Sequence, residues 1–194
     1  MLTQSTGSLL IPTGQHRTIP IVENRTQLVH ALDTPASKTI FLRHCNLFEM
    51  APLLEHAHQR RYAFYVNIDH IDGIHADSAG LRYLARQLHI TGVISSNPRT
   101  FALAKDFELE TIQRIFTVDS TGLDVTLDTV DIRCVDLLDI APALVVPHVI
   151  PHLANPLPLP FTASGLISTF KQVRAITDAG AVAVAVTKSE LWAR

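Results

Sequence analysis

Ser164-Gly165 and Thr187-Lys188-Ser189 each follow an apolar run and place small or hydroxyl-bearing residues where backbone amides can face an anion. Glycine lets a main chain approach a ligand closely, and amides at the start of a helix attract negative charge. The chemistry this pattern serves is the holding of a phosphate ester, with Lys188 as an added cation or a solvated side chain. Gln113 and Arg114 are the second unusual feature, because they interrupt the run TIQRIFTVD where apolar residues are expected. A guanidinium inside a strand has to meet a carboxylate or a phosphate, since an unpaired buried charge is costly. Adjacent strand residues face opposite ways, so only one of the two faces the interior. The sequence leaves open which. Asp69, two residues after Asn67 at the end of another run, can accept hydrogen bonds from substrate hydroxyls, act as a base, or order the following loop. Asp136, in CVDLLD, can touch a ligand or pair with Arg114 as a core ion pair.

Arg43, His44, Ser95, Ser96, Asp119 and Asp139 complete the polar residues in or just after apolar runs. Other signals are bland. His56 and His58 are two apart on a helix and do not share a face, and prolines interrupt the segment carrying His148 and His152. The chain lacks the HExxH, P-loop and GxGxxG patterns. Its four lysines, Lys38, Lys105, Lys171 and Lys188, fall outside the expected strands, which disfavours a Schiff-base mechanism. No metal or cofactor is expected.

The elements that must position these groups alternate. Short apolar runs are expected as strands at Ile19–Val22, Thr39–Leu42, Tyr62–Ile68, Thr91–Ile94, Thr111–Val118, Ile132–Leu138, Leu157–Ala163 and Ala181–Val186. Between them lie segments with helical spacing, such as Asn46–Arg61 with Leu47, Met50, Leu54 and Ala57, and a proline-bounded helix at Pro142–Leu153. Strands apolar throughout suit a parallel sheet covered on both faces. Eight strand-helix steps predict an α/β fold of the (β/α)8 barrel type, a compact TIM-like barrel in a single domain. An open doubly wound sheet is disfavoured, because no Gly-rich loop follows Val22. In such a barrel ligands bind at the C-terminal ends of the strands, with phosphate after strands seven and eight.

At 194 residues, 47% apolar and 18% charged, the chain suits one globular domain over residues 18–194, preceded by a flexible Ser/Thr/Gly-rich extension over residues 1–17. No apolar run is long enough to cross a membrane. The start lacks the basic and apolar regions of a signal peptide, so a cytoplasmic location is expected. Cys45 and Cys134 fit that compartment as lone thiols. A formal net charge of −2 argues against bulk polyanion binding without excluding a local basic patch. Arg60, Arg61, Arg82, Arg86 and Arg99 are candidates for such a patch.

Five blocks, in order, resemble a known family. VNIDHIDGIHAD at 66–77 is similar to the "hvDLIeGL..D" block of the glycerol-3-phosphate responsive antiterminators, the glycerol uptake operon regulators of bacteria. ITGVISSN at 90–97 resembles that family's "GLISTr", and TIQRIFTVDS at 111–120 its "iQRlFllDS". VDLLD at 135–139 falls where the family has "iEvLPG", and PFTASGLISTF with its following helix and AVAVAVTKSELW resemble the closing "PviAGGLIrtkeeV…aVtTS…LW". The resemblance implies a barrel that senses glycerol 3-phosphate, is not an enzyme, and binds leader mRNA when liganded. It implies that Asp69, Gln113, Arg114 and Asp136 serve the hydroxyl end of the ligand. Ser164, Gly165, Thr187, Lys188 and Ser189 would then hold the phosphate. The chain departs from the pattern at Asn67 (His in the family), His70 (Leu), Asp136 (Glu), Asp139-Ile140 (Pro-Gly) and Ser164 (Gly).

Two other readings compete. One is an enzyme acting on a small phosphorylated polyol, with Asp69 or Asp136 as base and Arg114 as stabiliser of developing charge. The other is a phosphometabolite-binding barrel without RNA recognition. The sequence does not decide the oligomeric state.

Overall fold

Eight parallel strands close on themselves in chain order. They are β1 (Thr18–Val22), β2 (Thr39–Leu42), β3 (Ala63–Asn67), β4 (Gly92–Ser95), β5 (Glu110–Phe116), β6 (Leu137–Ala141), β7 (Phe161–Ser164) and β8 (Ala183–Val186). The pairs Thr18↔Val184, Ile19↔Ala185 and Pro20↔Val186 join the last strand to the first. This computed structural model describes residues 8–10, 18–34, 37–153 and 155–192. The helices are α1 (Arg25–Asp33), α2 (Leu47–Gln59), α3 (Ser78–Arg86), α4 (Arg99–Lys105), α5 (Ser120–Asp128), α6 (Val146–Val149) and α7 (Phe170–Asp178). A 3-10 turn, Ser189–Leu191, follows β8. The expected barrel is the observed one.

Alternation along each strand builds two cores. Ile19, Ile21, Phe41, Ala63, Tyr65, Ile94, Ile112, Leu137, Ala183 and Ala185 fill the barrel interior. Their neighbours, among them Val22, Leu42, Val66, Val93, Ile115, Ile140 and Val186, face the helices and pack with Leu28, Leu54, Leu81, Leu84, Phe101 and Ile176. Helix starts are set by short polar side chains at the strand exits. Asn24 accepts from the Gln27 amide at 3.0 Å, Asp77 from Gly80 at 2.8 Å and Asp119 from Gly122 at 2.6 Å, while Thr169 and Gln172 form a capping box. Asp119 is therefore a helix cap.

Three expectations in the sixth and seventh steps are corrected. The sixth strand, expected at residues 132–138, is Leu137–Ala141, because Cys134 and Val135 turn back to donate to the Asp131 carbonyl. The seventh begins at Phe161 rather than residue 157, since Pro158 and Pro160 cannot donate to a ladder. The helix expected over residues 142–153 breaks into a 3-10 turn, four residues of α6, and a second 3-10 turn. Pro147 and Pro151 supply no amide for a continuous helix.

The N-terminal mouth of the barrel is closed by its own chain. The Tyr65 and Ser8 hydroxyls both donate to the Glu110 carboxylate, and the Leu9 amide donates to the Tyr65 oxygen at 2.9 Å. The Tyr65 ring reaches this position across Gly92, where a Cβ would lie 2.7 Å from the ring and 2.5 Å from the Glu110 carbonyl. Ser8 is buried, so this part of the N-terminal stretch packs on the barrel; the rest of residues 1–17 lies outside the described residues. Burial pushes the Glu110 carboxyl above its ordinary value, partly offset by the Ser8 and Tyr65 hydrogen bonds. A carboxyl raised in the fold binds its proton more readily folded than unfolded. Its contribution to stability is therefore fullest below the unfolded value and declines as pH rises through the folded one. In urea unfolding, the stability of the native chain relative to Glu110→Gln is expected to fall as pH is raised from about 4 to about 7. A difference independent of pH would contradict the assignment.

Candidate functional site

The opposite mouth, at the C-terminal ends of the strands, holds a buried polar cluster. Arg114 shares the face of Glu110 and Ile112 on β5, so it points into the barrel, and Gln113 points outward beneath the helices. The alternative in which Arg114 packs outward is overturned. Strand register sets Arg114 beside Asp139 of β6, and Asp139 beside Thr162 of β7. Asp139 is 1% exposed and accepts from the Ser164 hydroxyl at 2.8 Å and from the Thr162 hydroxyl at 3.1 Å. Arg114 donates from Nη2 to the Ser164 oxygen at 3.2 Å, and its Nε lies 3.8 Å from the Asp139 carboxylate. Burial drives the Asp139 carboxyl above its ordinary range, against the opposing pull of Arg114, Ser164 and Thr162.

This cluster is under-satisfied on the side facing the mouth. A guanidinium has five N–H donors, and the Arg114 side chain, 11% exposed, makes one hydrogen bond, with its Nε left unpaired. Asn67 continues the interior face of Ala63 and Tyr65, is 2% exposed, and has no partner for either its Oδ1 or its Nδ2. Buried polar groups are normally paired. Buried donors and an acceptor without partners mark this end of the barrel as the candidate place for a polar molecule.

Around this centre the strand exits supply a rim. Asp69 follows β3 and accepts from the Ser95 hydroxyl at 2.6 Å, and from the Ser96 amide and hydroxyl at 2.6 and 2.8 Å. Both its oxygens are thereby committed to joining the ends of β3 and β4. Gly165 follows β7 with φ +92°, and Leu166 with φ +62°. A Cβ at Gly165 would find only Pro142 Cα, at 3.8 Å, so the space above this turn is open. Thr187 and Lys188 are exposed after β8, and Ser189 opens the final 3-10 turn. Phe116 lies with its ring 5.3 Å from the Arg114 guanidinium and half exposed, a wall beside the cation.

Asp136 is not among these groups. It precedes β6, faces the helices, and is bound to Lys105 and to the Thr111 amide and hydroxyl at the N-terminal end of β5. The strand begins at Leu137 rather than at Ile132, and this moves the inward carboxylate from position 136 to 139. Asp139-Ile140-Ala141-Pro142 then matches the acid-x-x-Pro order of the family's "iEvLPG" block. Among the described residues, Gln113, Thr187, Lys188 and Ser189 make no hydrogen bond or ion pair with the central cluster, whereas Arg114 and Ser164 belong to it. Asp139 and Asn67 were visible in the sequence as polar residues at strand exits, but a strand displaced by several residues hid which acid faces inward. Among the described residues no group of three or more His, Cys, Asp or Glu could hold a metal ion, and no helix is long and apolar enough to cross a membrane.

An interior cation with a shared acid and hydroxyl, beside an open glycine turn after the seventh strand, gives this closed parallel barrel a polar centre at its C-terminal mouth. The model of the glycerol-3-phosphate responsive antiterminators matches residues 18–192, and the chain belongs to that family. The glycerol uptake operon antiterminator regulatory protein of Listeria monocytogenes has the same fold, with TM-score 0.80 at 22% identity, over 94% of this chain and 97% of that one. A glycerol uptake operon antiterminator-related protein of Thermotoga maritima superposes with TM-score 0.77 at 18% identity, over 92% and 99%. The uncharacterized protein YgcP of Escherichia coli is 23% identical over 180 residues, 92% of each chain. Barrel enzymes are more distant in shape, as in deoxyribose phosphate aldolase of Aeropyrum pernix, with TM-score 0.64 at 13% identity.

Removing one member of the central pair strands the other. Arg114→Leu is expected to lower stability by about 3–5 kcal/mol in urea unfolding, because Asp139 is left buried without its cation. Arg114→Leu combined with Asp139→Leu is expected to recover most of that loss. Additive losses would show that the two do not act as a pair.

Proposed function

We propose that this chain is an effector-controlled transcription antiterminator that holds a small phosphorylated polyol of the glycerol 3-phosphate type in its C-terminal mouth and binds leader mRNA in that state. The observation that carries the reading is the buried Arg114 guanidinium, engaged by a single hydrogen bond among the described residues, with a second unpaired buried polar group, the amide of Asn67, on the same interior face of the barrel. In this reading the phosphate lies against Ser164, Gly165 and Thr187 to Ser189, and the hydroxyl end is read by Arg114, with Asp69 and Gln113 supporting the strand ends. Asp139 takes the part first expected of Asp136. Family membership favours a regulator over a catalyst. Asp69 accepts from Ser95 and Ser96, and Asp139 from Thr162 and Ser164, so both carboxylates tie strand exits together. For RNA, Arg82 and Arg86 stand four apart and exposed on α3, with exposed Arg99 on the neighbouring α4. Arg86 is partly neutralised by Glu108 at 3.3 Å, so the patch is modest and its binding should weaken steeply with salt. The reading places the protein in the cytoplasm and requires no cofactor besides the effector.

Calorimetric titration with glycerol 3-phosphate is expected to give saturable heat, with none from glycerol and weaker heat from inorganic phosphate. Gly165→Glu, which puts a carboxylate over the open turn, is expected to abolish it. Gel-shift titration against leader RNA of a glycerol operon should then show binding that needs the effector and is lost in Arg82→Glu/Arg99→Glu. Effector binding without any RNA shift at low salt would favour a metabolite-binding barrel, and steady consumption of the ester would favour an enzyme.

A further inference from the structure

The exits of β2 and β3 add Arg43 and two exposed histidines, His44 and His70, to the rim of the mouth. Arg43 ends β2 and is held by Glu23, with Nη2 2.7 Å and Nε 3.2 Å from Oε1. His44 follows with φ +52°, an uncommon conformation for a side-chain-bearing residue, and its amide donates to the His70 carbonyl at 2.6 Å. The two imidazoles stack with centroids 4.8 Å apart, both exposed. Their ring nitrogens have no hydrogen-bond partner among the described residues. Position 70 carries Leu in the family's "hvDLIeGL" block, and position 67, now the unpaired buried Asn67, carries His. The imidazole of His70 thus stands where the resembling pattern has Leu, and it stacks on His44.

We infer that the effector of this chain carries a carboxylate as well as a phosphate, so that it belongs to the phosphorylated hydroxy acids, with Arg114 and Asn67 receiving the carboxylate and His44 and His70 closing over it. The inference rests on the proposed effector site and names the class of molecule that fills it. A carboxylate matches the planar fork of a guanidinium, and the buried Arg114 Nε has no hydrogen-bond partner. The charged groups around His44 point the same way. Arg43, His70 and Arg114 act on it as cations, Glu23 alone opposes them nearby, and Asp69 is occupied by Ser95 and Ser96. Asp72, on the loop after His70, has its backbone bound to Cys45 and Leu47 and weighs on the Cys45 side. Burial, then Arg43 and His70, hold the His44 imidazole below its ordinary value. An arriving carboxylate reverses that balance and favours protonation, so binding of the acid takes up a proton where binding of the neutral polyol does not.

The test is parallel calorimetry with glycerol 3-phosphate and 3-phosphoglycerate at about pH 6 and about pH 7.5. The acid is expected to bind more tightly by about tenfold, the worth of one charge-assisted hydrogen bond, with the ratio growing as pH falls. Because both probes carry a phosphate, its own titration cancels in the ratio. In His70→Leu the ratio should collapse towards one and lose its pH dependence, while glycerol 3-phosphate affinity is retained. His44→Gly, which suits the observed backbone, should do the same without unfolding the loop. Equal or weaker binding of the acid would overturn the inference and leave the effector site standing. A preference unchanged in both histidine variants would overturn the role given to the imidazoles. Binding of neither compound would remove the proposed site itself, and the inference with it.

Discussion

A single cation enclosed in the barrel organises this molecule. Arg114 enters the interior because strand alternation leaves it no other face, and once there it must be compensated. Asp139 supplies the opposite charge and Ser164 links the two, so three neighbouring strands are tied at their exits by one polar contact. The price is incomplete satisfaction, since the buried guanidinium Nε is left without a hydrogen-bond partner.

The two ends of the barrel treat their buried acids differently. At the N-terminal end Glu110 is enclosed by Tyr65 and by the backbone segment at Ser8, with no cation in hydrogen-bond contact. At the C-terminal end Asp139 keeps its cation close and its hydroxyls ordered. The first arrangement seals, and the second presents. Parallel barrels in general bind ligands on the loops that follow the strands and leave the opposite end to hold the fold, and the two ends here divide in the same sense.

Most of the fold was legible because apolar strands and capped helices alternate strongly. Thr39–Leu42 reads as a strand and is one, and Asn24 and Asp77 stand at helix starts, whereas Asp119, expected among the polar residues at strand exits, caps α5. The sixth and seventh steps were not legible, for a local reason. Ile132 to Val135 and Leu157 to Leu159 are apolar enough to be strands, but a turn at Asp131 and the prolines at 158 and 160 deny them a ladder. That displacement exchanged Asp139 for Asp136 in the site. The direction of Arg114 was beyond sequence reasoning too, since it depends on register with β6 and not on the apolar pattern of β5 alone. The pairing of His44 with His70 joins two strand exits 26 positions apart and left no signal in spacing.

The chain's one tryptophan gives these structural relations an optical form. Trp192 is fully buried, its indole N–H donates at 3.0 Å to the carbonyl of Val186, and His30 lies 5.5 Å from its ring. Val186 is the residue before Thr187, where β8 gives way to the loop expected to hold phosphate. The fluorophore is thus wired through one hydrogen bond to that loop and set beside a titratable ring. Any shift of the strand exit changes the polarity felt by the indole, so the protein carries an intrinsic, label-free reporter at the edge of its own binding site.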